Sequence, residues 1–173
     1  MKARTAPHAN APGSAWRWAV AGALLGSVLA CLVWAPARWL AWGVAQASHG
    51  QVQWQNPRGT VWQGSAQLTL SGGAGSRDAQ TLPGRLHWRI LPGVLSWRTT
   101  WLADCCMDRP IEAQLQAGLS TLSLQLNDHP SRWPAAWLSG LGAPWNTLQA
   151  EGQLQLRTES LRLQWAAGRL QMQ

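Results

Sequence analysis

The residues of this chain best equipped for chemistry are two adjacent cysteines, four histidines and seven scattered carboxylates. Neighbouring thiols such as Cys105 and Cys106 can close a vicinal disulfide or bridge to a second chain in an oxidising compartment. As strand neighbours they would instead point to opposite faces as separate thiols. The histidines, His8, His49, His87 and His129, share no metal-ligand spacing. One lies in the N-terminal tail, one follows an apolar run, one falls on a polar strand face and one precedes a proline, and each reads as a surface histidine. No carboxylate pair stands out, and neither a Gly-x-Ser-x-Gly elbow nor a Walker-type loop is present. The glycine-rich turn 71–76 lacks the strand-to-helix setting of a phosphate cradle. No catalytic residue, metal ligand or cofactor is expected, and the chain reads as something other than an enzyme.

Charge argues against a nucleic-acid partner. The chain carries a net charge of +7, but Lys2, Arg4 and Arg17 precede the main apolar run, leaving eleven arginines against seven acids after it. Those arginines are spread singly, with no dense block to follow a phosphate backbone. Only 12% of the residues are charged, so the polar surface must come mostly from Gln, Ser, Thr and Arg. Fourteen tryptophans accompany no Tyr or Phe, and no catalytic role is assigned to them.

The elements that would hold these residues divide the chain into a tail (1–17), an apolar helix (18–36), an interfacial helix or linker (37–48) and a β-rich domain (49–173). The stretch 18–35 contains no charge. At about 1.5 Å per residue it nearly crosses a hydrocarbon core of roughly 30 Å. It contains Cys31, and the basic residues before it predict a cytoplasmic N-terminus and an exported remainder. A cleaved signal peptide is the alternative, since Ala35-Pro36-Ala37 and Ala45-Gln46-Ala47 both imitate small-x-small cleavage sites. The segment Arg38, Trp39, Leu40, Trp42, Val44 suits a membrane interface, where Trp is enriched, or simply continues the helix.

Beyond residue 51 the dominant period is two, the signature of half-buried antiparallel strands. In "GTVWQGSAQLTL" the residues Trp62, Ala66, Leu68 and Leu70 share one face, opposite Gln63, Ser65, Gln67 and Thr69, while Gly59 and Gly64 permit close approach or a bulge. In "GRLHWRI" the residues Leu86, Trp88 and Ile90 alternate with Arg85, His87 and Arg89 between turns at 83–84 and 92–93. A parity change between Leu119 and Leu122 requires a bulge or turn near 118–121. Ser131 is expected to cap a short helix that stops at Gly140. Gly140 to Pro144 then set a turn with Trp145 packed under it, Asn146 satisfying turn backbone, and a strand running 147–157. A hairpin at 158–160 returns the chain to a strand at 161–165, and 168–173 begins another that can end the sheet or pair with a partner. The fold class is therefore mainly β: one N-terminal transmembrane helix, then an antiparallel, curved or half-open sheet of seven or eight strands with one short helix.

Taken in order, these features resemble the type II secretion system protein N family, also called general secretion pathway protein N. The resemblance is carried by the anchor followed by Pro36-Ala37 and Trp39-Leu40, by "GTVWQGSAQLTL" at 59–70, "LPGRLHWRI" at 82–90 and "LSGLGAPWNTLQAEGQLQL" at 138–156. Its most specific positions are Gly59, Thr60, Trp62, Gly64 and Ala66, then Asn146, Thr147 and Leu148 leading to Gly152, with Pro83, Gly84 and Pro144 in the intervening motifs. The resemblance implies a single-pass inner-membrane protein of Gram-negative bacteria with a periplasmic β-rich domain. Its implied partners are other type II secretion subunits, namely the inner-membrane platform and secretin-linked components, together with membrane lipid. No catalytic residues come with it. Family members usually continue for several strands after the region matching "LRLQWAAGRL", so that closing portion is expected to be missing or shortened in this sequence. A second class fits the same alternation: a membrane-anchored periplasmic lipid-handling protein, whose apolar sheet face carries acyl chains.

Overall fold

The computed structural model describes residues 13–73, 76–118, 121–148, 150–158, 161–166 and 169–172. The expected cytoplasmic tail with His8, Lys2 and Arg4 falls almost wholly outside them, as do Leu119, Gln149, Glu159 and Ser160. The chain forms two compact units, 1–35 and 36–173.

The first unit holds one helix, α1 (Gly13–Val33), which is long and apolar enough to cross a membrane. Alanine, leucine and valine dominate it on every side, so Leu24, Leu25, Val28, Leu29 and Leu32 all stand exposed. Twenty-one residues at about 1.5 Å each match a hydrocarbon core of roughly 30 Å.

The second unit opens with α2 (Ala37–Ala47), preceded by Pro36 in extended conformation. Its small residues Ala37 and Ala41 are buried, and Leu40 packs with Ala37 against Ala66 and Trp88 of the sheet. Trp39 and Trp42 lie exposed on the same helix. The strands follow as β1 (Val52–Gly59), β2 (Gln63–Ser71), β3 (Ala79–Thr81), β4 (Leu86–Pro92), β5 (Ser96–Ala103), β6 (Ile111–Ala117), β7 (Thr121–Leu126), β8 (His129–Pro134), β9 (Gln153–Thr158), β10 (Arg162–Ala166) and β11 (Arg169–Met172). One antiparallel sheet runs β1-β2-β4-β5-β6-β7-β10-β11, with β3 added to β2, and it does not close on itself. A separate ribbon pairs β8 with β9. The fold is mainly β, as the alternation requires.

Register follows polarity. From β4 outward one face presents Trp88, Trp101 and Ile111, with the opposite face carrying Arg89, Thr100 and Glu112. The first half of the apolar face is sealed around Trp88, 2% exposed, which meets Trp54 at a 4.8 Å ring separation, and around Leu82, Leu86, Ala103 and Cys106. Thr69, expected on the polar face, is buried as well; it pairs with Thr81 of β3, and the two hydroxyls share a 3.0 Å hydrogen bond.

Three local expectations change. Ser131 caps no helix: it lies in β8, and a 3₁₀ helix begins only at Ala135 and runs to Leu141. Pro134 disfavours helical geometry at Trp133 and so prolongs the extended chain. The helix ends at Gly142, with φ 78°, and Gly140 lies inside it. The strand expected over 147–157 shrinks to β9, since Thr147 bonds the Pro144 carbonyl through both its N–H and its hydroxyl, and Gly152, at φ 96°, breaks the extended run. Trp145, expected to pack under the 140–144 turn, is 43% exposed. Finally, β9 and β10 do not pair as a hairpin; β9 joins β8, while β10 lies between β7 and β11.

Candidate functional site

The motif at 59–66 is a hairpin built to seat one indole. Gly59, at φ 90°, pairs with Gly64 across the turn, and the Thr60 N–H bonds the Gln63 carbonyl at 2.8 Å. Trp62 lies in the turn itself, where its carbonyl accepts the Ile90 N–H at 2.6 Å. The Trp88 indole N–H donates to the carbonyls of Thr60 (3.3 Å) and Val61 (3.1 Å). A Cβ on Gly64 would come within 2.5 Å of Trp88 Cζ2, so only glycine admits the ring. Ala66, 1% exposed, is the next small residue along the same face.

Pro83 and Gly84 make the turn into β4, with Gly84 at φ 87° against Asp104. That turn brings together a constellation resembling hydrolytic chemistry: Ser65 opposite His87, and His87 Nε2 3.2 Å from the Asp104 carboxylate. Its wiring serves structure. Ser65 Oγ accepts from Arg85 Nε at 3.0 Å, while Asp104 Oδ2 accepts the Arg85 backbone N–H at 3.2 Å. Arg85 also donates to the carbonyls of Asn56 and Ser65, tying β1 to β2. His87 and Asp104 are 47% and 48% exposed, too open for a shielded dyad.

The segment 140–148 clamps the far end of β2. Gly140 passes so close that a Cβ there would lie 2.6 Å from the Leu70 carbonyl oxygen. Asn146 donates its backbone N–H to the Gly142 carbonyl and its side-chain amide to Asp78, each at 3.0 Å. Leu148 is exposed, and the carbonyl of Gly152 accepts the N–H of Ala135. Pro144 follows a cis peptide bond. Cys105 and Cys106 are joined by a disulfide in the turn after β5, with Cys106 in the core and Cys105 exposed. Cys31 is an exposed free thiol on α1. Among the described residues no group of three or more His, Cys, Asp or Glu could hold a metal.

The motif residues thus shape two corners, and the open surface lies elsewhere. Across β5, β6, β7 and β10 the apolar face continues in aligned rows: Trp97, Leu115, Leu124 and Leu163, then Ala117, Leu122 and Trp165. None of the described side chains of β6, β7 or β10 is buried. At one end the β4–β5 turn exposes Val94, Leu95 and Trp97, beside a hollow of about 220 Å³. The opposite face of the same strands is polar, with Arg98, Gln114, Gln125 and Arg162 in one row.

Beyond the other end lies a cavity of about 840 Å³ lined by Arg109, Arg132, Arg157, His129, Asp128 and Ser131, among others. His129, expected at the surface, is only 2% exposed; its Nε2–H donates to the Arg109 carbonyl, which fixes the ring against the loop before β6. The three arginines are far apart in sequence and only the β8–β9 pairing and the loop before β6 collect them, so no local pattern announced the cavity.

A family model described as type II secretion system protein N matches residues 50–173. No curated protein and no solved structure matches the chain.

Proposed function

Since the chain belongs to the type II secretion system protein N family, and is thereby a component of that secretion system, we propose that it acts there as a non-catalytic inner-membrane subunit supporting assembly or operation of the machine. Membership implies interaction with other subunits of the system. The observation that carries the reading is the family match over the whole sheet domain. Three features support the finer assignment. The helix α1 is exposed along its apolar length, which hydrocarbon would satisfy and water would not. Basic Lys2, Arg4 and Arg17 favour a cytoplasmic N-terminus at 1–17, a span at 18–36 and a periplasmic domain at 49–173. The segment 37–48 joins them, with Trp39 and Trp42 free to meet headgroups. The motif residues work as architecture: Gly64 and Ala66 admit Trp88, Gly59 lets the turn close against Gln63, and Asn146 ties the 140–148 loop to Asp78.

The test is an in-frame deletion in the native bacterium, following a secreted enzyme by activity in medium and periplasm. Periplasmic accumulation that a plasmid copy reverses supports the role, and cross-linking to platform subunits then identifies the neighbours. Unchanged secretion would sink it.

A further inference from the structure

We propose that the uncovered apolar face of β5, β6, β7 and β10 binds the acyl chain of an anionic lipid whose acidic headgroup sits in the arginine-lined cavity. The inference stands on its own observations and does not depend on the secretion role.

The apolar rows are the continuation of the core face, since Trp88 aligns with Trp101 and Trp101 with Ile111. Where α2 and the 3₁₀ helix cover the sheet, this face is sealed; past β5 it stays open, with Trp97 55% and Leu95 67% exposed. A strip with Thr99 as its one polar side chain across β5 and β6 offers nothing to the donors and acceptors of an extended peptide, whereas hydrocarbon requires no such partners. Seven residues of β6 at about 3.3 Å each give a track of roughly 20 Å. That exceeds half of a hydrocarbon core of roughly 30 Å, the depth reached by one acyl chain.

Charge complementarity fixes the direction. The track ends at Ile111 and Leu126; Arg109 lies two residues before the first, and Asp128 and His129 lie two and three residues after the second. The Asn127 N–H donates to the Glu112 carbonyl and the Glu112 N–H to Asn127 Oδ1, so the chain passes from this end of the track straight into the cavity-lining residues that begin at Asp128. Arg109, Arg132 and Arg157 outnumber Asp128 in its lining, and guanidinium groups present paired donors to phosphate oxygens. An apolar strip running into a cationic cavity matches a molecule with a hydrocarbon tail and an acidic head.

The test uses the full chain in phosphatidylcholine vesicles carrying a minor share of phosphatidylglycerol, with p-benzoylphenylalanine replacing Leu115, Leu124, Gln114 or Gln125 in turn. Leu115 and Leu124 are half-buried and the other two lie on the opposite face, so all four are expected to fold, which thermal unfolding checks. After irradiation, mass spectrometry should find lipid adducts at Leu115 and Leu124 and none at Gln114 or Gln125. Phosphatidylglycerol should exceed its share of the vesicle by about tenfold, the worth of one charge-assisted hydrogen bond, and Arg109→Gln with Arg132→Gln should remove that excess. Adducts on both faces alike, lipid captured in proportion to vesicle composition, or cross-linking of Leu115 in cells to another protein in place of lipid would each overturn the proposal.

Discussion

Gly64 lies directly under the indole of Trp88, close enough that a methyl group on its Cα would come within 2.5 Å of ring carbon Cζ2. The neighbouring Nε1 of the same ring donates to two carbonyls, which oppose its displacement, and the added carbon would also overlap the Arg58 carbonyl oxygen. Gly64→Ala is therefore expected to destabilise the domain by about 1–3 kcal/mol through overpacking. Urea unfolding of the purified chain, read by tryptophan fluorescence, measures this; an unchanged midpoint would mean the ring is not seated as described.

Asp104 and His87 form the most visible ion pair among the described residues, yet they should matter unequally. His87→Gln removes half of an exposed pair and is expected to change stability by less than about 0.5 kcal/mol. Asp104→Ala also strips the acceptor from the Arg85 backbone N–H and should cost about 1 kcal/mol. Equal unfolding midpoints for the two variants would contradict the wiring.

Asn146 and Asp78 are 68 residues apart and 3.0 Å from each other through amide and carboxylate. Replacing the amide by a second carboxylate sets like charges at contact, so Asn146→Asp is expected to lose about 1–2 kcal/mol. Adding Asp78→Asn should recover most of that. A double-mutant cycle measures the coupling, and additive effects would show that the contact does not form.

Cys105 and Cys106 share a turn but not an environment: one is exposed and the other is 5% exposed within the cluster of Leu82, Leu86 and Ala103. Both single serine variants open the bridge, and Cys106→Ser also buries a hydroxyl. It should be the less stable of the two by about 1 kcal/mol. Thermal unfolding of the pair decides this, and equal melting temperatures would count against the burial.

The part of the fold that could be read in the sequence was the part governed by period two. Alternation at 63–70 and 85–91 placed Ala66, Leu86 and Trp88 inward, and the glycines at 59 and 64 marked a close approach. Alternation misled at 147–148, where hydrogen bonds from Thr147 and Asn146 to nearby carbonyls hold the chain in turns in spite of its pattern. Burial of Thr69 and His129 was equally hidden, because each meets a partner that its own strand pattern does not announce: Thr81 of β3 in one case, the Arg109 carbonyl in the other. Arg109, Arg132 and Arg157 read as scattered surface charge for the same reason. Only pairing between distant strands turns such a distribution into a cluster.

One topological fact separates these parts further. β7 and β10 are neighbours, and Leu126 bonds directly to Leu161, so the chain that carries β8, the 3₁₀ helix and β9 leaves the sheet and returns to the point it left. The 3₁₀ helix and the 140–148 loop of this detour stay tied to β2 and the core, but the outward positions of the β8–β9 ribbon can change sequence without disturbing the β7–β10 register. Arg132 and Arg157 ride on the detour, whereas Leu115, Leu124 and Leu163 belong to the frame. Head-group preference and tail accommodation would then be separable traits, free to diverge independently among related chains that keep one sheet.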